Sequence, residues 1–388
     1  MRSPRAIVFL TVLIDLMGFG IVLPVLPYYA ETYGASSLAI GLMFTSYSIM
    51  QFLFTPILGR LSDRHGRRPL ILLSLAGSGI GFLIFGMADR LALLFVGRII
   101  AGIAGAIIPT ANAYIADITT PETRAKGMGL VGMALGMGFI LGPVIGGLIS
   151  PYGYEKAPLL ASALATLNLI FAYFKLPESL SPDIQREAAA SRARVNGLWA
   201  SLASPRTGLL LCLHFFVIFA LANMETTFAL LNEHTYHLSA RQTGYLFALI
   251  GLAMAIAQGL MVGQAVKRFG EKKCIIFGTF TMIFGLALMP FAPSLASYCA
   301  IIVFLAVGAG INNPSVSGLL SRISDVDEQG EIMGIAQSLS SLGRILGPAW
   351  GGFTFGALGA HWPFLSGALL MGIAFLLSFR IRTKTPKF

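Results

Sequence analysis

The sequence predicts an all-α polytopic membrane protein of twelve transmembrane helices in two pseudo-symmetric six-helix bundles. Three observations predict it. Apolar residues make up 56% of the chain and charged residues only 11%, where soluble domains run near ~45–50% and ~25%. The charges collect between long apolar runs, so these segments lack the polar face that a soluble helix needs. The second half of the chain also repeats the first, at an offset of about 204 residues.

The elements follow in order. MRSPRAIVFLTVLIDLMGFG starts basic and stays apolar to about Tyr29 with no small-residue cleavage site, so it reads as an uncleaved first span. Twelve apolar segments fall near 6–29, 38–61, 69–88, 91–115, 126–150, 157–176, 208–231, 240–266, 273–292, 295–319, 331–356 and 360–380. Each is close to the ~20 residues that cross a bilayer. Connections are short except 177–207, which holds Pro177, Pro182, an alanine run and scattered arginines. That stretch reads as a cytoplasmic linker between an N-terminal bundle, 1–176, and a C-terminal bundle, 208–388.

With both termini inside, twenty-two Lys and Arg residues lie in cytoplasmic segments. Only Arg90, Lys156 and Arg241 lie in outer loops. Cytoplasmic loops carry such an excess, so both ends are expected in the cytoplasm of a plasma (bacterial inner) membrane. The net charge of +10 therefore sets topology and does not point to nucleic acid. Cys212, Cys274 and Cys299 show no C-x-x-C spacing and are expected to be free, buried thiols without a metal.

The repeat is visible in three places. Gly59–Arg68 recurs as Gly263–Lys272, the region of Pro109 recurs around Pro314, and GPVIGG at Gly142–Gly147 recurs as GPAWGG at Gly347–Gly352. An even number of spans per half makes this a parallel repeat about an axis along the membrane normal.

Charges inside the spans are the functional candidates. Asp15 lies roughly 14 Å from the inner boundary at ~1.5 Å per residue, near the midplane. A carboxylate there is costly unless paired or wetted, and burial suits it to gain and lose a proton. Arg98, in GRIIAGIAGA, lies roughly 10 Å below the outer boundary. It keeps its charge, so it needs an anion or water, and Asp15 is the candidate nearest in depth. Gly138, Gly142 and Gly146 are spaced by four beside Pro143 and Gly147, giving a groove against which another helix can slide or pack. In the second half Glu225 and Arg344 are the embedded charges, with His214 and Gln258 as further polar candidates. Phe19, Tyr47 and Phe216 are candidates to line an apolar cavity suited to amphipathic organic molecules. At the basic end, Gly59, Asp63, Arg64, Gly66, Arg67 and Arg68 make a tight turn, and Asp63, Arg64, Asp117, Glu122 and Arg124 are expected to form a gating ion network. Exposed pairs contribute ~0–1 kcal/mol each, so only a network can bias two states.

GRLSDRHGRRP matches the loop signature between helices two and three of the major facilitator superfamily. With DLMGFGIVLPVLP, GRIIAGIAGA and GPVIGG, it resembles the twelve-helix drug/proton antiporters, most of all the tetracycline/proton antiporters. The resemblance covers nearly the whole chain. It implies alternating access by rocking of the halves, protons moving inward as substrate moves out. It also implies central-site roles for Asp15, Gln51 and Arg98, a gating role for Asp63, and export through the fifth-helix glycine signature. The sequence departs from the tetracycline pattern in two places. Residues 69–88 hold no acid, with Gly81 about where it would fall, and Met254 stands four residues before Gln258 where those exporters place a histidine.

The expected function is a proton-coupled antiporter exporting amphipathic small molecules. The alternative is a major facilitator exporter or importer of a metabolite, siderophore or sugar. An enzyme would need a nucleophile–base pair or metal ligands at membrane depth, which the scattered histidines do not supply. No cofactor is expected, and the partners are a small-molecule substrate, protons and the bilayer, with a monomer as the functional unit.

Overall fold

A computed structural model describes residues 4–105, 107–180, 207–323 and 329–381. The expected linker 177–207 lies almost wholly outside the described residues, as does the side chain of Glu122. The described residues are helical, with no strand among them: α1 (Pro4–Val22), α2 (Leu26–Glu31), α3 (Ser37–His65), α4 (Arg67–Gly86), α5 (Leu91–Ala104), α6 (Ile107–Asp117), α7 (Pro121–Ile149) and α8 (Lys156–Lys175), then α9 (Thr207–His234), α10 (Ala240–Ile256), α11 (Val262–Phe269), α12 (Glu271–Leu288), α13 (Leu295–Ile323), α14 (Gln329–Leu358) and α15 (Trp362–Ser378). Among the described residues, ten helical stretches are long and apolar enough to cross a membrane. The 30-residue α14 and the 17-residue α15 are the two further long helices. This is an all-α polytopic membrane fold, compatible with twelve spans.

Contacts divide the chain into two compact units. The first takes the described residues of Met1–Ser36, Ser46–Ala193 and Leu238–Ala248; the second takes those of Ser37–Thr45, Arg194–His237 and Leu249–Phe388. In the first unit α1 packs along α7 and α8, and α4 along α5 and α8. In the second α9 packs along α14 and α15, and α12 along α13 and α15. The same pairings recur in the same chain order, so the sequence repeat is a repeat of packing.

Lipid is as apolar as leucine, so packing and interhelical hydrogen bonds hold such bundles together. In the first unit Val8 and Val12 of α1, Leu75 of α4, Tyr114 of α6 and Ala134 of α7 form a sealed core. Buried Asn168 of α8 donates to the Thr11 carbonyl of α1 at 2.8 Å. In the second unit buried Asn223 of α9 donates to the Pro363 carbonyl of α15 at 2.6 Å, and Asn312 of α13 to the Ile275 carbonyl of α12 at 3.1 Å.

Two expectations need correction. The turn at the basic end is shorter than GRLSDRHGRRP suggests. Helix α3 continues through Gly59 to His65, and Gly66 alone, at φ 101°, separates it from α4. A Cβ on Gly59 would meet nothing within 4 Å, so that glycine makes no bend. The reason is physical: falling hydropathy marks where the bilayer ends, while backbone hydrogen bonds carry the helix on into water. The cysteines are free, but only Cys274 is buried; Cys299 is half-buried and Cys212 exposed.

Candidate functional site

Helix α5 positions Arg98. Gly102, one turn on, lets α3 come close: a Cβ there would lie 2.9 Å from Met50 Cβ and 3.0 Å from Tyr47 Cα. That approach stacks Tyr47 on the Arg98 guanidinium, 4.4 Å from its ring centre, with the Phe19 ring of α1 at 5.7 Å. The two rings also touch each other, 5.4 Å apart. Arg98 is only 3% exposed, and a guanidinium held over desolvated ring faces gains ~2 kcal/mol. Gln51, one turn from Tyr47, donates to the Gly105 carbonyl at 2.8 Å. It thereby satisfies a carbonyl where α5 ends and before α6 begins.

Asp15 lies one turn before Phe19 on α1, facing Ser78 of α4. Its Oδ1 is sealed from solvent and accepts no hydrogen bond from the described residues. No ion pair joins it to Arg98 among the described residues. Phe19 is the residue that links the two, sharing a helix with the acid and ring contact with the cation.

The basic end of the first unit holds a second cluster. Arg67 pairs with Asp63 and, at 3.1 Å, with Asp117; it also donates to Ser62 Oγ at 3.2 Å. Ser179 donates to the same Asp117 oxygen at 2.9 Å. Among the described residues neither Arg64 nor Arg124 joins a carboxylate, so Arg67 is the hub. Glu178, which no motif marked, accepts from the backbone N–H groups of Arg67 and Arg68 at 2.9 and 3.2 Å. An anion at a helix N-terminus satisfies donors that have no partner within the helix. Arg68 donates to the Tyr173 carbonyl of α8 at 2.7 Å and lies 5.5 Å over that residue's ring.

The second unit repeats this cluster with its charges exchanged. Gly270, at φ 80°, stands where Gly66 does. Glu271 then pairs with Arg322, where the first unit pairs Arg67 with Asp117. Lys272 donates to the Phe379 and Ile381 carbonyls at 2.9 and 2.8 Å, as Arg68 does to Tyr173. By the offset of the repeat, Arg322 stands where Asp117 does and Glu271 where Arg67 does. The positions are equivalent; the polarity is reversed.

The glycine signature is a seam. Cβ atoms on Gly138 and Gly142 would lie 2.6 Å from Leu16 Cβ and Gly20 Cα, and one on Gly146 would lie 2.9 Å from the Ile21 carbonyl carbon. Gly147 faces the other way: a Cβ there would lie 3.2 Å from Gly244 Cα of α10. Pro143 sits within α7, its ring against Gly20. In the second unit Gly343, Gly347 and Gly351 of α14 meet the α9 backbone from Ile218 to Asn223, and a Cβ on Gly352 would lie 3.1 Å from Gly41 Cα of α3. Gly81 is sealed as well. A Cβ there would lie 2.8 Å from the Ala101 nitrogen, so an acid at this position would force α4 from α5.

The remaining candidates are in the second unit. His214, 8% exposed, shares a 2.7 Å hydrogen bond with Ser340. Phe216 and Glu225 are half-buried on α9, and Arg344 is exposed on α14. Gln258 is exposed within a π-helical turn, Ala257–Met261, a local form that recurs at functional sites and that hydropathy does not reveal.

Two helical bundles with matching pairings, each carrying embedded charge and a glycine seam, define a polytopic membrane protein of the repeat-built transporter class. The chain belongs to the Major Facilitator Superfamily, whose model matches residues 8–257 and again 210–388. It is 35% identical to the tetracycline resistance protein, class C, of Escherichia coli, over 97% of this chain and 96% of that one. It is 30% identical to multidrug resistance protein 2 of Bacillus subtilis (strain 168), over 93% and 90%. Among solved structures, the human organic anion transporter MFSD10 (TETRAN) superposes with a TM-score of 0.71 at 26% identity, over 96% of this chain and 98% of that one. A bacterial homolog of the human lysosomal transporter Spinster superposes at 0.80 and 15% identity, over 97% and 96%, which speaks for the fold alone. The protein is a multi-pass major facilitator transporter.

Proposed function

We propose that this transporter is a proton-coupled antiporter that exports amphipathic small organic molecules by alternating access, from a plasma membrane with both termini in the cytoplasm. The observation that carries the proposal is the arrangement on α1: a membrane-embedded acid with one oxygen cut off from solvent, one turn from a ring that covers a buried arginine. An acid without a cationic partner is stable in apolar surroundings when protonated and costly when ionised. Protonation of Asp15 therefore favours packing around it, and deprotonation favours a state that admits water or a cation. Phe19 and Tyr47 give an organic substrate apolar contact at the same place, so substrate and proton bear on one pair of helices.

Two sets of features support a two-state element. Glycine seams let helix backbones touch without interlocking side chains, and the Arg67 cluster with its charge-exchanged counterpart can be broken and remade at the basic end. The tetracycline and multidrug resistance relatives support export of drug-like compounds. The sealed Gly81 and the absent α4 acid argue for a substrate other than tetracycline. The chain is read as two six-span halves, 1–176 and 208–388, joined by 177–207, and as a functional monomer.

The test is a screen of amphipathic compounds in proteoliposomes holding the full-length protein under an imposed pH gradient. Uphill movement of at least one compound, abolished when the gradient is collapsed, is the expected result. Transport of such compounds at equal rates with and without the gradient would refute proton coupling.

A further inference from the structure

Helix α14 carries more polarity than a plain membrane span, and the polarity is ordered. Gln337, Ser341 and Arg344 recur at helical spacing of four and three, which places them on one face. Gln337 and Arg344 are exposed, Ser341 half-buried. Arg344 stands midway along the 30-residue helix Gln329–Leu358, roughly 22 Å from either end at ~1.5 Å per residue. A guanidinium at that depth keeps its charge and does not face acyl chains without heavy cost. The face that bears it therefore borders water. Among the described residues no carboxylate lies within 4 Å of Arg344, and no protein acceptor takes its hydrogen bonds.

The surroundings have a definite chemistry. Ser340 accepts from or donates to His214 at 2.7 Å, and Gly343 abuts the backbone of Phe219. Arg344 is thus level with the stretch of α9 from His214 to Phe219. Phe215, Phe216 and Phe219 of that stretch are half-buried, and the Phe215 ring touches both of the others at centroid distances of 5.9 and 6.0 Å. His214, on the same stretch, lies within electrostatic range of Arg344.

We propose that Arg344 binds the anionic group of an amphipathic substrate, a carboxylate or comparable oxyanion, while the α9 phenylalanines take the adjoining aromatic or aliphatic portion. A planar guanidinium offers paired donors that match a carboxylate. The proposal rests on the export reading and narrows its substrate class to organic anions.

The experiment measures binding of 1-pyrenebutyrate, its methyl ester and 1-pyrenebutylamine to the full-length protein in nanodiscs, by pyrene fluorescence. The parent is expected to bind the acid at least about tenfold more tightly than the ester, the contribution of one charge-assisted hydrogen bond. Arg344→Gln should bring acid and ester within about twofold of each other while ester affinity and the unfolding midpoint hold. Arg344→Lys should keep a preference for the acid. Equal affinities for all three probes in the parent, no measurable acid binding, or loss of ester and acid binding together in Arg344→Gln would overturn it. Proteoliposome transport of 1-pyrenebutyrate separates this idea from the export reading. Arg344-dependent binding without transport sinks export and leaves the anion site; transport unchanged in Arg344→Gln sinks the anion site and leaves export.

Discussion

Replacing Gly142 by alanine adds one methyl group where two helices already touch. The new Cβ would lie 2.6 Å from Gly20 Cα and 2.8 Å from both the Gly20 carbonyl carbon and the Met17 oxygen. All three are backbone atoms, so no side-chain rotation relieves the clash. Restoring a carbon–carbon distance of 3.5–4.0 Å requires α1 and α7 to part by about 1 Å. Overpacking of this kind costs about 1–3 kcal/mol. At roughly 2–4 °C per kcal/mol the apparent midpoint should fall by roughly 2–12 °C. Gly136→Ala, on the same helix, is the control: a Cβ there meets nothing within 4 Å, and alanine is the better helix former by ~1 kcal/mol. The assay is thermal unfolding of both variants in one detergent, with cysteine labelling from each side of the membrane. Gly142→Leu, a larger wedge in the same seam, should fold but label from one side only. The reasoning fails if Gly142→Ala is as stable as Gly136→Ala, or if Gly142→Leu labels from both sides like the parent.

The charged clusters and the sealed glycines give further tests. A double-mutant cycle should show stronger coupling for Arg67–Asp117, with side chains 11% and 19% exposed, than for Glu271–Arg322, where the arginine is 56% exposed; a larger coupling in the second pair would contradict the screening argument. Exchanging the partners, Glu271→Arg with Arg322→Glu, should retain transport that either single change reduces. Glu178→Ala should destabilise α4 by about 1 kcal/mol, the usual loss when a helix N-terminus is uncapped, and the effect should not depend on substrate. Gly81→Asp should lower stability without conferring tetracycline transport, since Ala101 fills the space; a stable variant that moves tetracycline would refute this.

The helices were legible because a bilayer demands long apolar runs, and among the described residues ten helical stretches are long and apolar enough to cross, compatible with twelve spans. Their ends were less legible. The α3 helix overruns its apolar run to His65 because water, once outside lipid, supports the helix equally well. The glycine signature announced a seam, but the opposite-facing contact of Gly147 with Gly244 needed coordinates, since it joins residues about a hundred positions apart. Arg98 and Asp15 were found by their improbability in lipid. Depth along a helix does not fix the direction of a side chain, so the placing of the Phe19 and Tyr47 rings against the arginine needed coordinates. Glu178 left no sequence signal, being an ordinary acid after a span that folds back 111 residues to cap α4. The exchanged polarity of Glu271–Arg322 was present in the sequence as two separate substitutions, and contact alone showed that they compensate.

Gradient-driven accumulation and equilibrium exchange, measured side by side in proteoliposomes for the parent and Asp15→Asn, test the proton carrier most directly. An amide keeps the shape of the acid and cannot cycle a proton. The expected result is loss of uphill accumulation with exchange of labelled for unlabelled substrate partly preserved. Accumulation by Asp15→Asn at the parent's level would remove this carboxyl from the coupling step.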